Sequence, residues 1–199
     1  MQQAISDLQQ GRSVIIVDDK DREDEADLLV AGEMVTEGHL RFMLKYCSGI
    51  ICVAMTDERL RELQLKPMVE NNTDKFQTPF TVSVDAKKIR DGGVSVRDRL
   101  LTIRTLISGK AEDLGRPGHV FPLRAAKDGL RERQGHTEAS VELLGIAGLY
   151  PAGVICELMN QDGTMMRGQE LSDFASKENI PLISIKEIKD VKEIKDVKD

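Results

Sequence analysis

Short runs of apolar, β-branched residues alternate with longer amphipathic segments along the chain, and this pattern predicts a mixture of strands and helices. The apolar runs are typical of short β-strands, and they occupy residues 13–19, 26–32, 49–55, 80–86, 119–125, 153–159 and 181–185. The segments between them are predicted helices at 35–46, 57–64, 95–108, 137–149 and 168–179.

Two of the predicted helices carry a clear local signal. In the segment 95–108, Val96, Leu100, Ile103 and Ile107 are spaced by three and four positions, which places them on one helical face. Thr56 stands before a segment that opens with acidic residues, so we predict that it caps the helix at 57–64.

The order of the elements indicates a layered domain around a mixed sheet. The acidic connection between the strands at 13–19 and 26–32 is too short to hold a crossover helix, so these two strands are predicted to be antiparallel. Strands and helices alternate irregularly after them. We therefore expect an α+β fold with a mixed, partly antiparallel sheet of about seven strands.

The chain length and the C-terminal repeat define the predicted domain organisation. With 199 residues the chain suits one domain, which we place at residues 1–185. Residues 186–199 repeat the hexapeptide KEIKDV, and their apolar positions recur every three residues, a spacing that drifts around a helix. This charged, low-complexity segment is predicted to be a frayed helix or a disordered tail without chemistry, or alternatively an interaction segment.

Charge and composition exclude several classes of protein. The net charge of −6 and the pI of about 5.2 argue against a protein that binds a nucleic-acid backbone. The N-terminus does not resemble a secretory signal, and no run approaches the ~18 apolar residues that a membrane span needs. The three cysteines, Cys47, Cys52 and Cys156, lack metal-type spacing and suit a reducing compartment. We therefore expect a cytoplasmic protein.

An acidic stretch, DDKDREDEADLL at residues 18–29, is the most unusual feature of the composition. It does not match a calcium-binding EF-hand loop, because Asp24 occupies the glycine position and Val30 the final glutamate position. Two interpretations remain. The stretch is either a solvated hairpin or one wall of a site for a hard cation such as Mg²⁺ that also holds a phosphorylated substrate.

Three other segments carry candidate chemistry. The segment RQGHTEASVELL (133–144) has two interpretations. Arg133, a capping Thr137 and the N–H groups at a helix start could bind a phosphate, with His136 beside them. Alternatively, the segment is an ordinary capped helix with an incidental histidine. Gly and Pro residues around His119 predict a rigid loop that leads into a strand. This loop either positions a functional group or is simply a stiff connection. Glu157 lies in an apolar strand, where it either acts as a general acid or base or faces solvent.

These segments together resemble the signature segments of the 3,4-dihydroxy-2-butanone 4-phosphate synthase family, an enzyme family of riboflavin biosynthesis. The resemblance extends in order from about Gly11 to Ile185. It is carried by DDKDREDEADLL, PMVENNT, RPGHVFPLRA, RQGHTEASVELLGIAGLYPAGVICEL and DGTMMR. Where relatives commonly read DRENEGD, this chain reads DREDEAD, with Asp24 and Ala26 as the departures.

The resemblance implies a lyase that converts D-ribulose 5-phosphate into L-3,4-dihydroxy-2-butanone 4-phosphate and formate through a metal-stabilised enediolate. It also implies Mg²⁺ (or Mn²⁺) as cofactor, a homodimer with active sites at the subunit interface, and a three-layer α/β/α-type sandwich. The chain is expected to be monofunctional, without the cyclohydrolase domain found in some relatives.

The resemblance also assigns expected roles to individual residues. The expected metal ligands are Glu23 and His136. The expected substrate-binding residues are Arg22, Glu23, Asp27, Arg133, Gln134, Gly135, His136, Thr137 and Glu157. The expected catalytic residues are His119, Glu157, Asp21, Glu25 and Cys52, the last in a supporting role.

Two other classes of function remain open from the sequence. A different metal-dependent enzyme of sugar phosphates, such as an isomerase or an aldolase, would use similar residues without releasing formate. A non-catalytic binding module on the same scaffold would be expected to lack several of the acidic and histidine positions that are present here.

Overall fold

A mixed sheet forms the centre of the computed structural model, which describes the backbone of residues 1–196 and the side chains as far as residue 192. In this part of the chain the sheet has seven strands in the order β4-β5-β3-β6-β2-β1-β7. Their bounds are β1 Val14–Val17, β2 Ala26–Ala31, β3 Cys52–Met55, β4 Val84–Ala86, β5 Leu114–Arg124, β6 Ala152–Glu157 and β7 Leu182–Ser184.

The pairing of the strands confirms that the sheet is mixed. The strands β1 and β2 are antiparallel, as the short acidic connection predicted. The strand β6 lies between β2 and β3 and is antiparallel to both. The pairs β1–β7 and β3–β5 are parallel.

Helices cover both faces of the sheet. Their bounds are α1 Gln2–Gln9, α2 Glu37–Tyr46, α3 Asp57–Glu62, α4 Val96–Ser108, α5 His136–Ile146, α6 Gly168–Glu178 and α7 Ile185–Asp196. The Thr56 side chain accepts a hydrogen bond from the backbone N–H of Arg59, so the predicted cap of α3 is confirmed.

Two separate hydrophobic cores show how the layers are arranged. Successive strand residues point to opposite faces, so Ile15 packs into one core and Ile16 into the other. The first core receives apolar side chains from α2, α3, α4 and α6, and the second receives them from α1, α5 and α7. The predicted α+β sandwich of three layers is therefore confirmed.

The strand β5 differs from its prediction in a way that affects the site. The Gly and Pro segment at 115–118 was expected to precede the strand, but it belongs to β5. Val84 pairs with Val120 whereas its neighbour Asp85 pairs with Gly115, so residues 116–119 bulge out of the ladder. A Cβ atom at Gly118 would lie 1.9 Å from the Val84 carbonyl carbon, and glycine makes this close approach possible.

The start of the C-terminal repeat packs against the domain as helix α7. Its first residue is Ile185, and the Ile188 side chain is fully buried in the core that α5 also contributes to. Of the two structures predicted for 186–199, a frayed helix or a disordered tail, the chain has a helix as far as Asp196, and an apolar residue early in the repeat reaches the core. The remaining residues, 197–199, lie outside the described part of the chain.

No helix in the described part of the chain combines the length and the apolar character that crossing a membrane requires.

Candidate active site

A cavity of about 230 Å³ lies where the acidic connection, the ends of β2 and β6 and the start of α5 meet. Its position follows from the sheet, since Asp27 and Glu157 are directly opposite each other on the paired strands β2 and β6. The lining residues are Arg22, Glu23, Glu25, Asp27, Cys52, Phe76, Thr78, Phe80, Leu123, Arg133, His136, Thr137, Ile155 and Glu157.

The acidic connection is folded around the carboxylate of Asp18. The Oδ1 atom of Asp18 accepts a hydrogen bond from the backbone N–H of Glu25 at 2.9 Å, and Oδ2 accepts one from Glu23 at 3.2 Å. The Arg22 guanidinium lies 2.8 Å from the carboxylates of both Asp18 and Glu23. The stretch is therefore a folded loop that turns Glu23 inward rather than a solvated hairpin.

The backbone of this loop passes through the left-handed region at Asp24, whose φ is +53°. Aspartate and asparagine tolerate this conformation better than most residues, so both fit the position where this chain departs from its relatives. The guanidinium of Arg167 holds the same turn by donating to the backbone carbonyls of Asp24 and Glu23.

Asp18, Glu23 and His136 form a group whose potential ligand atoms all lie within 4.8 Å of one another. His136 is the first residue of α5, and its Nδ1 atom is 3.7 Å from the Glu23 carboxylate. Among the described residues, the buried His136 Nε2 and Asp27 Oδ1 atoms have no hydrogen-bond partner. Two carboxylates and one imidazole are donors that a divalent cation accepts.

The crowding of charges perturbs the acidity of the buried groups. Burial raises the pKa of Asp27 to about 7, and the carboxylates of Glu157, Glu25 and Glu23 add to this effect. Burial alone would lower the pKa of His136, but the nearby carboxylates, above all Asp27, outweigh it and raise that pKa to about 9. Such perturbed groups in a cavity are typical of catalytic sites.

The pKa values of the other ionisable groups in the cavity shift in different directions, depending on the groups that surround them. Burial, with the charges of Glu23 and Glu157, raises the pKa of Glu25. Burial would also raise the pKa of Glu23, but contact with His136 and Arg22 lowers it overall. Burial raises the pKa of the Cys52 thiol well above its ordinary value, so this cysteine stays protonated near neutral pH.

Arg133 reaches the cavity from the loop before α5. Its Nη1 atom donates to the fully buried Glu138 carboxylate at 2.8 Å, and its Nε and Nη2 atoms donate to the Phe76 carbonyl at 3.3 and 3.2 Å. The aromatic ring of Phe76 also lies 5.6 Å from the Arg22 guanidinium carbon. Phe76 thus contacts both arginines that line the cavity, Arg133 through its carbonyl and Arg22 through its ring.

Glu157 enters the cavity at the end of β6, where it is half-buried. Ser48 Oγ donates to its Oε2 atom at 2.5 Å, and the Ser48 backbone N–H donates to its carbonyl at 2.8 Å. Of the two interpretations left open by the sequence, the carboxylate faces the cavity rather than open solvent.

His119 lies in the bulge of β5, outside the cavity of its own chain. Its Nδ1 atom is 2.7 Å from Asp85 Oδ2, and its backbone N–H donates to Asp85 Oδ1 at 3.0 Å. Its side chain is 46% exposed while that of Asp85 is 10% exposed, so the carboxylate forms a buried support for an accessible imidazole.

The structure brings most of the predicted site residues together. Nine of them line the cavity, namely Arg22, Glu23, Glu25, Asp27, Cys52, Arg133, His136, Thr137 and Glu157. Asp21 and Gln134 are exposed, Gly135 is the buried N-cap residue of α5, and none of them lines the cavity. The prediction that Thr137 caps the helix is wrong, because Gly135 is the N-cap residue and α5 begins at His136.

Sequence reasoning missed the residues that position others. The sequence pattern assigned no role to Asp18, whereas this residue organises the loop and belongs to the potential ligand group. Phe76, Ser48 and Glu138 contact site residues through a backbone carbonyl, a hydroxyl and a buried carboxylate. The TEA sequence after His136 was a usable signal for Glu138, because a charged residue within a buried helix turn requires a partner.

Comparison with known proteins agrees with this geometry. The family model described as 3,4-dihydroxy-2-butanone 4-phosphate synthase matches residues 2–191. The chain belongs to the 3,4-dihydroxy-2-butanone 4-phosphate synthase family. A synthase of this name from Tolumonas auensis is 48% identical over 190 residues, which cover 94% of this chain and 88% of the relative.

Two further comparisons extend the relationship of the chain to this synthase family. The riboflavin biosynthesis protein RibBA of Aquifex aeolicus is 52% identical over 192 residues, covering 94% of this chain and 47% of that longer protein. A crystal structure of 3,4-dihydroxy-2-butanone 4-phosphate synthase in complex with two magnesium ions superimposes with a TM-score of 0.88. It is 39% identical, and the match covers 93% of this chain and 92% of that one.

Proposed function

We propose that the chain converts D-ribulose 5-phosphate into L-3,4-dihydroxy-2-butanone 4-phosphate and formate, as a lyase of riboflavin biosynthesis. The observation that carries this proposal is the partly buried group of Asp18, Glu23 and His136, of which Glu23 and His136 share one cavity with Arg133. It combines a potential cation site with a guanidinium for a phosphate, and family membership supports the specific reaction.

The cofactor in this proposal is Mg²⁺, or Mn²⁺ in its place, held by Glu23 and His136. The donor set fits a divalent cation, and the buried His136 Nε2 atom, which lacks a partner among the described residues, supports this fit. The related structure that contains two magnesium ions adds support. When bound, the cation would stabilise negative charge that develops on the substrate oxygens during proton removal.

The residues in and around the cavity divide into substrate-binding and proton-transfer groups. Arg133 and Arg22 supply positive charge, and Thr137, Gly135 and Gln134 lie at the start of α5, where N–H groups favour a phosphate. Asp27 and Glu157 face each other, and with Glu25 they provide carboxylates for proton transfer. Cys52 remains a neutral supporting group, and Asp21 is an exposed helper of the acidic loop.

His119 has a place in this proposal if the protein is a homodimer with active sites at the subunit interface. It lies outside the cavity of its own chain, its imidazole is accessible, and Asp85 holds it in one orientation. We assign it to the cavity of a second copy. The three free cysteines support a cytoplasmic location, and the proposal includes no nucleic-acid or membrane partner.

The deciding experiment incubates the purified protein with D-ribulose 5-phosphate and Mg²⁺ and measures formate, with and without EDTA. We expect formate to appear only when the metal is available. An isomerase or an aldolase would consume the sugar phosphate without releasing formate, so metal-dependent turnover without formate would reject the proposal.

A further inference from the structure

Glu138 is a fully buried carboxylate in the first turn of α5, next to the cavity but not among its lining residues. Its Oε1 atom accepts a hydrogen bond from the backbone N–H of Ala126 at 3.0 Å, and its Oε2 atom accepts one from Arg133 Nη1 at 2.8 Å. A carboxylate is costly to bury unless it is paired. This one is paired with an arginine of the site.

The guanidinium of Arg133 is held on two sides. Glu138 binds Nη1, while the backbone carbonyl of Phe76 accepts from Nε and Nη2. Arginine has a long side chain whose immobilisation costs entropy, and a guanidinium held before the ligand arrives has already incurred that cost. The two contacts therefore fix the direction in which the guanidinium faces the cavity.

Because Gly135 has no side chain, there is room beside it for the ion pair of Arg133 and Glu138. A Cβ atom there would lie 2.0 Å from Arg133 Nη1 and 2.9 Å from Glu138 Oε2. The φ of Gly135 is −111°, which any residue can adopt, so the space beside the ion pair is what favours glycine. The helix start, the arginine and the carboxylate thus form one fitted unit.

We propose that Glu138 is a positioning residue, which orients the Arg133 guanidinium toward the phosphate group of the substrate. This inference rests on the proposed function, because it assigns Arg133 to a sugar phosphate. Glu138 acts through Arg133 and does not contact the substrate. Its loss weakens phosphate binding more than it slows the chemical step, since the groups assigned to proton transfer lie on β2, β6, the acidic loop and the bulge of β5, away from the Glu138–Arg133 pair.

A matched control exists one turn further along the same helix. Glu142 also accepts a hydrogen bond from a backbone N–H of the preceding loop, that of Leu130 at 2.8 Å, and like Glu138 it does not line the cavity. Glu138→Gln and Glu142→Gln remove the same charge from the same helix. Only the first breaks the ion pair with Arg133.

The experiment measures equilibrium binding of inorganic phosphate by calorimetry, together with KM and kcat for D-ribulose 5-phosphate. We expect Glu138→Gln to weaken phosphate binding and to raise KM by about tenfold, with kcat changed much less, because one charge-assisted contact is lost. Glu142→Gln should leave phosphate binding and KM unchanged. Glu138→Asp, which retains the charge, should lie between wild type and Glu138→Gln, and it decides the question if Glu138→Gln does not fold.

Two results would overturn the inference. One is equal weakening in the Glu138 and Glu142 variants, which would indicate that both carboxylates only order the loop. The other is a fall in kcat with KM and phosphate binding unchanged. A wild-type protein that releases no formate would reject the proposed function instead, while the phosphate titration would still test the role of Glu138.

Discussion

The carboxylate of Asp85 supports the imidazole of His119 through two contacts, one to Nδ1 at 2.7 Å and one to the backbone N–H at 3.0 Å. Because a carboxylate accepts hydrogen bonds, the Nδ1 atom carries the hydrogen and the Nε2 atom is directed away from Asp85. A Cβ atom at Gly93, whose φ is +91°, would lie 2.2 Å from Asp85 and 2.6 Å from the imidazole. The loop at Gly93 therefore packs closely against one side of the pair.

We predict that Asp85→Asn lowers kcat by about 100-fold, since a correctly oriented acid or base contributes that much to proton transfer. KM for D-ribulose 5-phosphate should change little. The same substitution in a His119→Ala background should cost nothing further, because both changes would remove one function. Asp91→Asn, which changes an exposed carboxylate in the following loop, is the control. Additive losses in the double variant would separate Asp85 from His119.

The hydrogen bond from Ser48 to Glu157 leads to a second prediction. Ser48→Ala removes the hydroxyl that fixes the carboxylate at the end of β6. We expect kcat to fall by about tenfold, which corresponds to the net value of one hydrogen bond to a charged group. Ser108→Ala, which removes a hydroxyl bonded within α4, should leave steady-state kinetics as in wild type. Unchanged kinetics in Ser48→Ala would mean that Glu157 needs no such support.

The third prediction concerns the potential cation site. Glu23→Ala and His136→Ala should each abolish formate release and weaken Mn²⁺ binding, which can be followed by electron paramagnetic resonance. Circular dichroism should remain nearly that of wild type, because both side chains lie at the cavity rather than in the hydrophobic cores. Asp19→Asn changes an exposed carboxylate in the same loop and should retain metal binding. Retained activity in either alanine variant would remove that residue from the metal site.

The close approach at Gly135 leads to the fourth prediction. Gly135→Ala would force the Arg133 guanidinium to move, since the added Cβ atom would meet its Nη1 atom at 2.0 Å. We expect KM to rise more than kcat falls. Gly145→Ala in the same helix is the matched control, because a Cβ atom there has no neighbour within 4 Å. That variant should keep wild-type kinetics and gain slightly in thermal stability, since alanine favours a helix over glycine.

The burial of Ile188 leads to the fifth prediction. Ile188→Ala should lower the free energy of unfolding by about 3 kcal/mol, as expected for a large apolar side chain removed from a core. Denaturant unfolding measures this change. Lys186→Ala, on an exposed position of the same helix, should have little effect. A small effect at Ile188 would favour the description of residues 186–199 as a tail.

Most of the fold could be predicted from local patterns. The alternation of apolar runs located all seven strands, and helical spacing located α2, α3, α4, α5 and α6. The pattern missed the eight-residue helix α1. It did not indicate that α7 packs on the domain either, because the apolar positions of residues 186–199 recur every three residues, a spacing that drifts around a helix. It also placed the start of β5 too late, since Gly and Pro are rare inside strands without a bulge.

The site was predicted less completely than the fold. The composition of the acidic stretch indicated a cation or a hairpin, and the segment around His136 indicated a phosphate or an ordinary cap. The residue types therefore suggested the chemistry, and the resemblance of several segments to one family selected among the alternatives. Asp18, Ser48 and Glu138 were not found, because their roles consist of contacts with residues distant in the sequence or with neighbouring backbone.

The sequence by itself determined the elements, the class of fold and the kinds of functional groups, because periodicity and residue chemistry are local properties. Only the tertiary structure decided which of these groups meet. The register of β2 and β6 places Asp27 opposite Glu157, and the turn around Asp18 directs Glu23 toward His136. The tertiary structure also places His119 outside the cavity of its own chain. Distances between strands depend on packing and pairing across the whole sheet, and no single segment contains that information.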